Sequence, residues 1–122
     1  MAVAIAAELS QYSQEVTNQI KQDVREVAKG CVKEIKAGSP KKSGKYRKGW
    51  RMKVVFENAE DIRIRIYNSA KPQLAHLLEF GHDLVKGKRK IGNVDGISHI
   101  YPAEENAAKL LEKKAKVAVK GK

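Results

Sequence analysis

From Ile5 to Ile35 the apolar residues fall at Ile5, Leu9, Tyr12, Val16, Ile20, Val24, Val27, Cys31 and Ile35, with every step three or four residues. That spacing draws a single apolar stripe along one face of an α-helix. At about 1.5 Å per residue such a helix runs about 45 Å, longer than a domain of this size covers on its own, so part of it is expected to pack on another chain. Gly38 offers a C-terminal stop, Lys33 and Lys36 suit the negative end of the helix dipole, and Pro40 closes the segment. The spacing therefore predicts a long helix over residues 1–37 and a basic connector over 38–50.

After the connector the period changes from four to two. "WRMKVVFE" and "DIRIRIYN" read as strands joined by a turn around Asn58, Ala59 and Glu60, a hairpin over 51–68. Ile62, Ile64 and Ile66 alternate with Arg63 and Arg65, which gives one buried face and one basic face. A lone hairpin is marginal in water, so the long helix is expected across its apolar side. A short helix over 70–81 turns Leu74, Leu77 and Leu78 inward and ends at Gly81 in the left-handed cap position. Residues 82–100 carry glycines and cations without apolar period and read as a mobile basic loop or hairpin. A last helix over 102–120 starts at Pro102, with Glu104 and Glu105 at its positive end, Lys113, Lys114 and Lys116 towards the other, and Ala103, Ala107, Leu110, Leu111 and Val117 on its buried face. The expected fold is α+β: a long N-terminal helix, a small antiparallel β-sheet, a short middle helix and a C-terminal helix.

The 122 residues suffice for one domain, and 42% apolar with 32% charged residues is the balance of a folded chain. A formal net charge of +11 points to polyanionic partners: nucleic acid, an anionic surface or an acidic protein. The single cysteine, Cys31, builds neither an internal disulfide nor by itself a zinc site, and its place on the stripe makes it a core residue. No apolar run approaches the roughly 18 residues of a membrane span, and "MAVAIAAEL" lacks the basic start and long apolar core of a secretion signal, so neither a membrane nor export by that route is expected.

"GSPKKSGKYRKGW" has the glycines and lysines of a phosphate-binding loop, but five residues separate Gly38 from Gly44, Tyr46 follows Lys45, and no strand leads in. Its cations, Lys41, Lys42, Lys45, Arg47 and Lys48, with Arg51 beyond them, flank Tyr46 and Trp50, a mixture that suits phosphate contact and base stacking. A second cationic cluster, Lys86, Lys88, Arg89 and Lys90, lies in the later loop. The bland alternative is a solvated turn whose two aromatics are buried. His76, Glu79 and His82 suggest a metal triplet, yet Gly81 ends the helix before His82, so no metal or other cofactor is expected. Neither a Ser-His-Asp nor a paired-carboxylate arrangement stands out, and an enzyme is not expected.

Three segments in order, "KKSGKYRKGW", "LLEFGH" and "SHIYPAEENA", resemble the family named for gene product 10 of phage HK 97, a small tail or neck component of tailed phages. The resemblance covers about Ser39 to Ala108. Ser43 and Gly44 match the family's Thr/Ser-Gly before the first strand; Tyr46, Gly49 and Trp50 match its continuation; Glu79, Phe80 and Gly81 match its Glu-aromatic-Gly; Pro102 and Ala103 match its Pro-Ala. His82 stands where many members carry Thr, and it is accompanied here by the later His99. The resemblance implies a non-enzymatic virion protein, made in the bacterial host, that joins head connector to tail or completes the tail end as a ring. Its implied partners are further copies of itself, neighbouring connector, tail-terminator or tail-tube proteins, and DNA in the channel without sequence preference. On this reading the basic segment is a connector that Tyr46 and Trp50 anchor by burial, while Lys86, Lys88, Arg89 and Lys90 face an acidic neighbour or DNA. A small basic nucleic-acid-binding protein is the competing class.

Overall fold

The computed structural model describes residues 2–40 and 44–120; within the second hairpin it leaves the side chains of residues 82–86, 91 and 94 undescribed. Its order is β1 (Val3–Glu8), α1 (Gln14–Gly38), α2 (Gly44–Lys48), β2 (Trp50–Glu57), β3 (Asp61–Asn68), α3 (Leu74–Phe80), β4 (Gly81–Lys86), β5 (Arg89–Asp95) and α4 (Tyr101–Lys120). This is the α+β arrangement of long helix, small antiparallel sheet, short helix and C-terminal helix.

The long helix begins later than its stripe suggests. Residues 3–8 form a strand rather than the first two turns, and β1 pairs antiparallel with β3, Val3 opposite Ile66 and Ile5 opposite Ile64. Ile5 and Leu9 satisfy a four-residue period, but Val3 and Ile5 also alternate with the exposed Ala4 and Ala6, and the open edge of β3 decides between the two. Leu9 N–H then donates to the Glu60 carbonyl at 2.9 Å, and Ser13 caps the true helix start by accepting from Val16 N–H at 3.3 Å. α1 is therefore 25 residues, about 37 Å.

The sheet order is β1-β3-β2, so the hairpin of β2 and β3 gains a third strand and β3 lies in the middle. α1 crosses the inner face and α4 packs on α1. Ile62, Ile64 and Ile66 from β3 meet Val24, Val27 and Ile35 from α1, all at 2% exposure or less. The outer face carries Arg63 and Arg65, with Arg51 and Lys53 from β2 beside them. Glu57 ends β2 and ties it to α1 through Arg25 at 2.6 Å and Lys21 at 3.4 Å. Lys21 also donates to the Asn58 carbonyl.

Residues 81–95 are a second antiparallel hairpin, the ordered one of the two forms expected for 82–100. On α4 the buried positions are Ala103, Ala107 and Ala118, while Leu110 and Val117 are 45% and 65% exposed, contrary to their expected inward placement. Ala103 and Ala107, four apart, lie on the buried face of α4 with Leu111 and Ala115 partly buried against the core, while Leu110 and Val117 fall off that face. On α3 it is Ala75 and Glu79 that are buried, and Leu77 points out. Within the connector, residues 44–48 make a short helix.

Ile64 sits at the centre of this packing with no exposed surface. Ile64→Ala should cost about 2–5 kcal/mol, read as a fall in the urea midpoint with little change in slope.

Candidate functional site

Residues spread over half the sequence converge on one buried polar chain. Glu79, near the end of α3, is almost fully buried and faces the N-terminus of α4, where the first backbone N–H groups have no partner within the helix. Its carboxylate supplies them: Oε1 accepts from His99 N–H at 2.7 Å and Ile100 N–H at 2.8 Å, and Oε2 from Tyr101 N–H at 3.0 Å and the Ser98 hydroxyl at 2.9 Å. The cap of α4 is thus borrowed from α3, and the negative charge sits at the positive end of the α4 dipole. Burial alone would raise the Glu79 pKa, but these four donors together hold it below the ordinary carboxylate value.

His99 continues the chain. Its Nδ1 lies 2.6 Å from the Ile97 carbonyl and 3.0 Å from Glu79 Oε1, and its Nε2 lies 2.6 Å from the Tyr46 hydroxyl. A carbonyl only accepts, so Nδ1 carries a proton, and in the neutral imidazole Nε2 accepts from the Tyr46 hydroxyl. Burial, helped by the Glu79 charge, pushes the Tyr46 phenol far above its ordinary value, which keeps the hydroxyl protonated. Tyr46 and Trp50 are fully buried and meet edge to face, with ring centres 5.7 Å apart, and His99 packs against both. The indole N–H of Trp50 is buried without a hydrogen bond of ordinary geometry.

Asn68 extends the chain into the sheet. Its Nδ2 donates to the Tyr46 carbonyl at 2.7 Å while its Oδ1 accepts from Ala70 and Lys71 N–H at 3.1 and 2.8 Å. Two glycines permit the close approach. A Cβ at Gly49 would come within 2.7 Å of Asn68 Oδ1 and 2.8 Å of Ala70 Cβ, and one at Gly96 within 2.5 Å of the Glu79 carbonyl.

Carboxylate, imidazole and phenol in series are the parts of an acid–base relay, but the side chains of Glu79 and His99 are at most 1% exposed and Tyr46 is at 0%. The hydrogen bonds that Glu79 accepts are spent on holding the start of α4. Chemically the arrangement is a lock joining α2, β3, α3 and α4.

Of the residues singled out from sequence, Tyr46, Gly49, Trp50, Glu79 and His99 meet in this lock. Gly81 is the C-cap of α3 at φ 82°, and Pro102 and the buried Ala103 open α4. Gly44 starts α2, whereas Phe80 is 60% exposed. His76 is exposed against Phe80, and the described residues contain no group of three metal-ligating side chains. Ser43, Lys41 and Lys42 lie outside the described residues, as do the side chains of His82 and Lys86. Arg47 is drawn inward to the Lys36 carbonyl at 2.7 Å, while Lys45, Lys48, Lys88, Arg89 and Lys90 are exposed. Sequence reasoning missed Asn68 and Gly96. The signal for Asn68 was its phase, since it follows Ile62, Ile64 and Ile66 by steps of two onto the buried face.

The fold and the lock define a small α+β module in which Tyr46, Gly49, Trp50, Glu79 and His99 serve the architecture. A family model described as "Bacteriophage HK97-gp10, putative tail-component" matches residues 4–81, and the chain belongs to that family. The matched span runs from β1 through α3 and includes Tyr46, Gly49, Trp50, Glu79 and Gly81. No match was found among curated proteins or solved structures.

The depressed Glu79 pKa fixes the sign of a pH effect. An unfolded carboxyl titrates near 4.5 and the folded one lower, so the stabilisation is complete above that value and fades as pH falls through the folded pKa. Glu79→Gln, which turns a donor towards backbone donors, should cost about 1–3 kcal/mol at pH 7. In paired melting curves its deficit against the parent chain should shrink below about pH 4.5.

Proposed function

We propose that this phage tail-related structural component is a ring-forming subunit at the neck or tail end, a joint between head connector and tail or the piece that completes the tail, with no enzymatic role. One observation carries the reading: Tyr46, Gly49, Trp50, Glu79 and His99 are spent inside the subunit, while among the described residues the sheet closes on neither side. β1 and β2 are both edge strands, and β2 exposes Val54, Val55 and Phe56 at 40%, 45% and 53%. Open apolar edges of this kind invite pairing with another chain. The partners of such a joint are further copies of itself and neighbouring connector, tail-terminator or tail-tube proteins, and its place is the virion.

The reading is tested by counting peptides in purified particles against the portal or tail-tube protein. A small fixed copy number, one ring per particle, is the expected result; absence from clean particles overturns it.

A second reading, non-specific contact with nucleic acid, is favoured by the outer sheet face. Lys53 stands directly opposite Arg65 in the register, and like charges so placed destabilise a sheet unless an anion covers them. If that anion is duplex DNA, replacing Arg63 and Arg65 by Glu should flatten the dependence of log Kd on log salt by about 1 per removed cation. An unchanged slope removes this reading.

A further inference from the structure

Between the free edge of β1 and helix α4 runs an open groove whose floor includes Leu9, Tyr12 and Leu111. Its lining carries three carboxylates, Glu8, Glu104 and Glu112, and no Lys or Arg among the described residues. In a chain with 25 Lys and Arg against 14 Asp and Glu, this is a local reversal of sign. Glu112 also meets Lys116 at 3.1 Å, but both are about two-thirds exposed, and a surface pair of that kind neutralises little.

The opposite character lies in the β4–β5 hairpin. Lys88, Arg89 and Lys90 are exposed around its turn, and Leu84, Val85, Ile91 and Val94 follow in its two strands. The hairpin joins the rest of the subunit at its base, where Gly96 lies against the end of α3 and Ile97 N–H donates to the Leu78 carbonyl at 2.8 Å. A two-stranded ribbon is at best marginal alone in water and gains most from a third strand. β1 is six residues long, the hairpin strands are six and seven, and β1 ends its sheet with its outer edge unpaired among the described residues.

We infer that the groove receives the β4–β5 hairpin of a second copy of the chain, laid along β1 with its cations over Glu8, Glu104 and Glu112. The inference rests on the ring reading above and names the contact from which the ring is built. Main-chain pairing along β1 supplies affinity, as in other strand additions, and the acidic rim selects the cationic hairpin. Groove and hairpin are different surfaces of one subunit, so the contact is heterologous and repeats head to tail until it closes.

Two sets of variants test it, in the purified full chain and in particles. Lys88→Cys combined with Glu112→Cys should give a reducible ladder of dimers and higher multiples under mild oxidation, and neither single variant should. Cys31 does not compete, because it is buried and its thiol is pushed up to about 11. Separately, Lys88→Glu with Arg89→Glu should lower the oligomer fraction in native mass spectrometry, Glu104→Lys with Glu112→Lys should do the same, and the four together should restore it. Melting curves equal to the parent's establish that the variants fold. Absence of both ladder and rescue while oligomers persist overturns the pairing and leaves the ring reading standing. Crosslinking of the Glu112→Cys variant to a different virion protein also overturns it, assigning the groove to that partner. A chain that is monomeric in solution and absent from particles sinks both.

Discussion

The Glu79 carboxylate is the point on which the subunit turns. α4 needs acceptors for its first N–H groups, and the Glu79 carboxylate accepts from Tyr101 N–H and from the Ser98, His99 and Ile100 groups that lead into the helix. A buried charge is costly without donors, and an uncapped buried helix end is costly without acceptors. Each cancels the other, so α3 and α4 fix one another's position although about twenty residues and a whole hairpin lie between them.

His99 and Tyr46 carry the same constraint into the rest of the fold. Tyr46 belongs to the short helix within the basic connector, and through its carbonyl and Asn68 it is bound to the end of β3. The later part of the connector is consequently held by Arg47 against the C-terminus of α1 and by Tyr46 and Trp50 in the core. Its glycines and lysines give the look of a phosphate loop, but the aromatics and Gly49 are used for close packing. What remains for function among the described residues is the outside: two open sheet edges, a basic sheet face, an acidic-rimmed groove and a cationic hairpin.

Much of this was legible in the residues. The period-four stripe located α1, the period-two runs located β2 and β3, and Pro102 with two following glutamates located the start of α4. The stripe misled at its beginning, because Val3-Ala4-Ile5-Ala6 satisfies either period and only the vacant edge of β3 chooses. α4 misled in detail, since Leu110 and Val117 read as core by hydropathy, whereas the buried face of α4 carries Ala103 and Ala107. Within the lock, the motif residues could be named without knowing that they touch. Glu79 looked like a metal ligand beside His76 and His82, because a sequence does not say that the donors it meets are mostly backbone groups about twenty residues on.

The sequence by itself determined the types of α1, β2, β3, α3 and α4 and the sign and distribution of charge, since local periodicity, capping residues and side-chain chemistry are properties of neighbours along the chain. The tertiary structure alone decided that residues 3–8 are a strand, that Glu79 caps a helix other than its own, and that three glutamates gather around one groove of a basic protein. Each of these depends on which distant groups are left with an unpaired edge, an unsatisfied N–H or an open face, and that is settled only when the elements are packed together.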